Sequence, residues 1–171
     1  AFHYSFPERS ADVKTIEKEF TTFHFKPEAT AFLQPMSVAK TGWQGVNPCY
    51  EEYYEKEIKV GTPSPSPAGW VYPALFHDNQ NWIAITETAL DGTYCGTRLL
   101  ANSLNGEYQL GFPENVEKFP GGGVLPMSTL PWSTPWRVLA IGKLNTVMES
   151  DLGVALAKPA VINDTGFISP G

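Results

Sequence analysis

The stretch from Gly69 to Leu90, GWVYPALFHDNQNWIAITETAL, restricts the fold more than any other part of the sequence. Two apolar arms flank a polar Asp78-Asn79-Gln80-Asn81 tip, the pattern of a β-hairpin with its turn at the tip. In the first arm Val71, Pro73 and Leu75 alternate with Trp70, Tyr72, Ala74 and Phe76, so both faces are apolar. A strand of that kind belongs inside a stack of sheets. In the second arm Ile83 and Ile85 oppose Trp82, Ala84 and Thr86, and Glu87 then brings a carboxylate to the strand's end.

A chain of 171 residues can bury a core of its own as one domain. The aromatic share of 13% is high, and 15 glycines with 15 prolines favour many short strands joined by turns. The class is therefore mostly β. A net charge of −6 with scattered Lys and Arg offers no basic field for phosphate backbones, so nucleic acid is not an expected partner. No apolar run approaches the roughly 20 residues that a membrane helix needs, and the first ten residues lack the charged and apolar regions of a signal peptide. Ala1 to Pro7 reads as the end of a strand without a lead-in, so the chain is expected to be truncated at its N-terminus. Cys49 and Cys95 fit either one disulfide or two buried thiols; neither has a neighbour at zinc-ligand spacing.

Residues 12–26 alternate polar and apolar, which predicts one or two strands, and Thr30 to Gln34 predicts another that stops at Pro35. An irregular loop around Trp43 follows, and then Cys49 to Ile58, dense in acids and tyrosines. From the residues alone, a solvated charged segment competes there with an acid that ligates a hard cation or holds a hydroxyl-rich ligand. Thr62 to Pro67 is a proline-rich surface connector. Gly92 to Asn102 and Gly106 to Phe112 predict two more strands, continuing the hairpin as an antiparallel meander. Residues 113–135, with their Gly121-Gly122-Gly123 triplet, predict a long loop that is either a disordered tip or a ligand-facing lid. Trp136 to Ile141 predicts a strand, Leu144 to Leu156 a short helix broken by Gly153, and Lys158 to Gly171 an irregular connector.

His3, His24 and His77 stand far apart, and no G-x-S-x-G elbow is present, so neither a metal pair of histidines nor a Ser-His-Asp triad is indicated. What remains is acids, aromatics and amides. That set suits carbohydrate, whose C–H faces stack on Trp or Tyr while its hydroxyls bond to polar side chains. Among the five tryptophans, Trp70 and Trp82 are expected within the sheet, whereas Trp43 and Trp132 lie in loops and are the candidate ligand stackers. Glu87 is the third candidate for the substrate side. Glycosidases place two carboxylates about 5 to 9.5 Å apart, and Glu51 with Glu87 is the conceivable pair here.

The order Phe2-His3-Tyr4-Ser5-Phe6-Pro7, Tyr50-Glu51-Glu52-Tyr53-Tyr54, Ile85-Thr86-Glu87-Thr88-Ala89-Leu90, Thr134-Pro135-Trp136-Arg137-Val138, then Ala157-Lys158-Pro159 with Ile162-Asn163-Asp164-Thr165 and Ser169-Pro170-Gly171, resembles glycoside hydrolase family 97 over nearly the whole chain. The resemblance implies the later part of an N-terminal β-supersandwich similar to the galactose mutarotase-like fold, over residues 1–157. Residues 158–171 would lead to a catalytic (β/α)₈ barrel in the same polypeptide. It implies hydrolysis of α-glucosidic or α-galactosidic bonds in a periplasmic, bacterial setting, with calcium as the metal. The catalytic acids would lie in the barrel, so no catalytic residue is expected in this chain. The Glu-x-x-Tyr context at Glu51-Glu52-Tyr53-Tyr54 makes Glu51 the implied calcium ligand, with Glu52 next should the register slip by one. Glu87 would orient loops beside the site, and Arg137 is expected to be a structural ion-pair partner. The rival expectation is a stand-alone carbohydrate-binding or mutarotase-like module.

Overall fold

A computed structural model describes residues 1–42, 45, 46, 53–162, 164 and 166–169. Strands are β1 (Ser5–Thr15), β2 (Thr22–His24), β3 (Thr30–Leu33), β4 (Glu55–Lys59), β5 (Ala74–Asp78), β6 (Asn81–Thr88), β7 (Arg98–Leu99), β8 (Glu107–Gly111), β9 (Met127–Ser133) and β10 (Trp136–Gly142). Two short helices follow, α1 (Leu144–Met148) and α2 (Leu152–Ala155).

The central hairpin forms where the alternation puts it, with Asp78 opposite Asn81 and Asn79 at a φ of 56° that asparagine tolerates in a tight turn. Its two arms pair with each other only from Ala74, after Pro73, which has no N–H for the ladder. The hairpin sits inside a five-stranded antiparallel sheet of order β10-β6-β5-β3-β4. A second sheet of order β2-β8-β7 packs on it, and β1 and β9 form a separate two-stranded ribbon. Mostly antiparallel β-sandwich is thus the architecture.

One core joins the two sheets. Ala31, Leu33, Ala74, Phe76, Ile83 and Ile85 from the larger sheet meet Phe23, Leu99 and Tyr108 from the smaller. Phe25 stacks on Phe76 at 3.9 Å between ring centres, and Tyr108 meets Phe76 edge-on at 5.0 Å. Trp70 is fully buried and exchanges backbone hydrogen bonds with Leu99, stitching the sheets together just before the hairpin. Trp82 instead lies half-buried on the outer face, stacked on His77. Among the described residues no helix is long and apolar enough to cross a membrane.

Four expectations are corrected. The opening residues begin the eleven-residue strand β1 rather than ending one. Residues 92–102 hold only the two-residue β7, because the preceding segment folds around carboxylates, and β7 and β8 join β2 rather than continuing from β6. The long loop of 113–135 is neither tip nor lid throughout: Glu117 pairs with buried Arg98, and Met127–Ser133 is a strand on β1. Pro131 fits there because the ribbon is irregular between Phe6 and Ser10, opposite it, and proline is admitted at such irregular or edge positions. Finally, the helical stretch breaks at Glu149 to Asp151, before Gly153, and makes two helices against β6 and β10.

Candidate functional site

The pairing of β6 with β10 sets Glu87 directly opposite Arg137. The Arg137 side chain, 1% exposed, donates from Nη1 to Glu87 Oε2 at 2.8 Å, and from Nε and Nη2 to the two oxygens of Glu19 at 3.1 and 2.5 Å. One guanidinium therefore serves two buried carboxylates. Glu19 also accepts from the hydroxyls of Thr21 and Tyr94, each at 2.8 Å. Glu87 accepts from the backbone N–H and the hydroxyl of Thr97 at 2.8 and 2.7 Å. The second carboxylate thus holds the segment after the hairpin in place.

The two acids differ electrostatically. Burial pushes the Glu19 carboxyl up, but the two-pronged Arg137 contact and the Thr21 and Tyr94 hydroxyls outweigh it, leaving Glu19 below the ordinary glutamate range. For Glu87 burial wins over the Thr97 bonds and the single Arg137 contact, and its carboxyl sits above that range. Cys95, beside this network, has its thiol pushed up to about 11 chiefly by burial.

Next to the network lies an open cleft of about 450 Å³, lined by His3, Asp91, Trp132, Trp136 and Lys158 among others. Trp132 is mostly buried against Phe6 and Tyr94. Its Nε1–H donates to Thr93 Oγ1 at 3.0 Å, and that hydroxyl donates to Asp91 Oδ1 at 2.6 Å. Asp91 Oδ1 also accepts the Thr93 N–H at 2.9 Å, and these two bonds hold its carboxyl below the usual aspartate value. The imidazole of His3, which also lines the cleft, is in contact with the Trp136 ring, 4.0 Å between centres and tilted by 33°.

Of the four sequence candidates, Trp132 reaches this cleft and Glu87 lies in the network behind it, with both oxygens engaged inside the protein. Trp43 and Glu51 fall outside the described residues, as do Glu52 and Cys49. Arg137 is the ion-pair partner that the sequence suggests. The sequence does not single out Glu19, Asp91, His3 or Trp136 as site residues. Nothing in the run Glu17-Lys18-Glu19 distinguishes the acid that goes inside, whereas Asp91-Gly92-Thr93 is a turn signature that carried a local signal.

An antiparallel β-sandwich with a buried arginine–carboxylate cluster and an aromatic cleft defines the class, and comparison with known proteins narrows it. Residues 1–159 match the glycosyl-hydrolase 97 N-terminal family, and the chain belongs to that family. The whole chain aligns, at 30% identity over 172 residues, with 23% of a probable retaining alpha-galactosidase from Streptomyces bingchenggensis (strain BCW-1). A crystal structure of beta-arabinopyranosidase superposes on 82% of the chain with a TM-score of 0.73 and 35% identity, and 23% of that chain is matched. The chain thus spans about a quarter of the length of these relatives.

Proposed function

We propose that this chain is the non-catalytic N-terminal sandwich of a retaining α-glycoside hydrolase, where it supports a (β/α)₈ catalytic barrel of the same polypeptide and helps to shape the substrate pocket. The match of residues 1–159 to the family carries this reading. The names of the two relatives narrow the substrate class, since arabinopyranose in its L form has the ring of galactose without the hydroxymethyl group. The substrate in this reading is therefore a galacto-configured pyranoside rather than a glucoside, and the extracytoplasmic bacterial setting is the one that the family resemblance implies.

Calcium is part of the same reading, with Glu51 as this chain's ligand. A calcium ion takes about six to eight oxygens, and the described residues contain no group of three or more acids, histidines or cysteines that could hold a metal. One carboxylate from this chain with the remaining donors supplied by the barrel fits both facts, and the ion would stabilise negative charge beside the substrate. A stand-alone carbohydrate-binding module is the second reading, favoured by the aromatic cleft.

The test is hydrolysis by the natural polypeptide carrying this chain. Turnover of a nitrophenyl α-galactoside well above the α-glucoside is expected, and absence of turnover on either would favour the binding module. For the metal, Glu51→Gln is expected to weaken calcium affinity about tenfold or more in a chelator competition, as loss of a charged ligand should. Unchanged affinity would remove Glu51 from the ligand set.

A further inference from the structure

We infer that the cleft between the β1-β9 ribbon and the start of β10 is an accessory carbohydrate subsite that takes a single uncharged pyranose ring. It goes beyond the proposed hydrolysis, and it deepens the carbohydrate-binding reading of the same cleft, on which it rests. Two kinds of surface meet in the cleft. The rings of His3 and Trp136, tilted by 33° with centres 4.0 Å apart, and the small exposed part of Trp132 line the cleft as its aromatic side. Asp91 and Lys158 stand at the rim, half and four-fifths exposed, with Lys158 Nζ 3.7 Å from Asp91 Oδ2. Aromatic wall and polar rim match the C–H face and the hydroxyl edge of a sugar.

The polar side is held ready before a ligand arrives. Asp91 Oδ1 is saturated by the Thr93 N–H and hydroxyl, which leaves Oδ2 to face the cleft with Lys158. The same Thr93 hydroxyl fixes the Trp132 indole, so the acceptor and the stacking surface are positioned by one side chain. Such prior ordering lowers the entropic cost of binding. Charge then selects the ligand: one carboxylate faces one ammonium, so the cleft has no surplus for an anion such as a phosphate or for a cation. A volume of about 450 Å³ lies within the range of small-ligand sites.

Fluorine NMR of the natural polypeptide labelled with fluorotryptophan tests the subsite away from the catalytic chemistry. The Trp132 and Trp136 signals are assigned by Trp→Phe substitution, and methyl α-galactopyranoside and methyl α-glucopyranoside are the probes. Both signals are expected to shift saturably with millimolar affinity. Asp91→Asn keeps the turn acceptor but loses the charge, and should weaken binding about tenfold, the effect of a hydrogen bond to a charged group. His3→Ala, which removes the ring lying against Trp136, should weaken it severalfold. Signals that stay still, whether because the sugar does not bind or because another part of the polypeptide covers the cleft, overturn the inference. So does a shift left unchanged by both variants. Normal hydrolysis alongside still signals would reject the subsite alone and leave the proposed function standing.

Discussion

Glu19 and Arg137, 118 positions apart in the chain, meet through a two-pronged contact in which Nε and Nη2 of the arginine address the two carboxylate oxygens at 3.1 and 2.5 Å. The pair ties the segment before β2 to the start of strand β10, two pieces that share no sheet. Through Nη1 the same guanidinium reaches Glu87 at the end of the hairpin, and through Glu87 it orders the segment that ends at Thr97. The wall of the aromatic cleft therefore rests on an ionic cluster rather than on apolar packing alone.

Arg137→Leu should strip the charge from the cluster and leave two buried carboxylates without their cation. A change of that kind costs about 3 to 5 kcal/mol. Urea unfolding followed by tryptophan fluorescence is expected to show the loss. Combining Arg137→Leu with Glu19→Gln and Glu87→Gln should restore a large part of it, because the unpaired charges go with the arginine. A single-variant cost under about 1 kcal/mol, the scale of an exposed pair, would show that the cluster is solvated in solution.

The two carboxylates should give stability opposite slopes with pH. Glu19 is held below the ordinary glutamate value of 4.5, so its contribution is present above that value and is lost as pH falls through its folded pKa. Glu87 is raised above 4.5, so its contribution is present below that value and is lost as pH rises through its folded pKa. The stability advantage of the wild-type chain over Glu19→Gln should accordingly shrink on acidification below 4.5. Its advantage over Glu87→Gln should shrink as pH rises above 4.5. Parallel slopes in the two comparisons would contradict the assignment of one depressed and one raised group.

The parts of the fold legible in the sequence are those fixed by local pattern. Ile83 and Ile85 share a face by alternation, and the Asp78 to Asn81 tip has the residues of a tight turn, so the hairpin could be read directly. The strand Met127–Ser133 could not, because Pro126 and Pro131 look like loop residues until β1 is known to lie beside them with an irregular register. Pairing across sheets is likewise invisible: nothing local says that β7 and β8 leave the hairpin to join β2. At the site, Arg137 beside Trp136 read as a structural ion-pair partner, but its main partner Glu19 lies in a run of alternating charges that looks solvated. Trp132, which the prolines around it make look like a loop residue, lies instead in β9 with most of its ring buried, and only its edge reaches the cleft, where Trp136 meets His3.

Gly69 should be the glycine least tolerant of a side chain. Its φ is +94°, and a Cβ there would lie 2.1 Å from the carbonyl oxygen of Leu99, the atom that receives the Trp70 N–H. Both the left-handed conformation and the backbone clash oppose Gly69→Ala, and the conformation alone costs on the order of 1 to 3 kcal/mol. Gly92, with no atom within 4 Å of a built Cβ and no positive φ, is the matched control. Thermal unfolding should place Gly69→Ala several degrees below wild type, since each kcal/mol shifts the midpoint by roughly 2 to 4 °C in a chain of this size. Gly92→Ala should lie within a degree or two. Equal midpoints for the two variants would mean that the close approach of Gly69 to Leu99 does not exist in solution.

Cys95 should be a slow thiol. Only the thiolate attacks an alkylating agent, and burial raises the thiol to about 11, with the charge of Glu87 adding to the effect and Arg137 opposing it. At neutral pH the reactive fraction is then on the order of one part in ten thousand, against a few per cent for a free cysteine. In a Cys49→Ser background, alkylation by iodoacetamide is expected to run orders of magnitude slower than with glutathione, and its rate should keep rising tenfold per pH unit to well above pH 9. Glu87→Gln, which removes one of the charges raising the thiol, should speed the reaction. A rate that levels off near the ordinary cysteine value of 9.0 would show that Cys95 is open to solvent and that the segment around it is not held by Glu87.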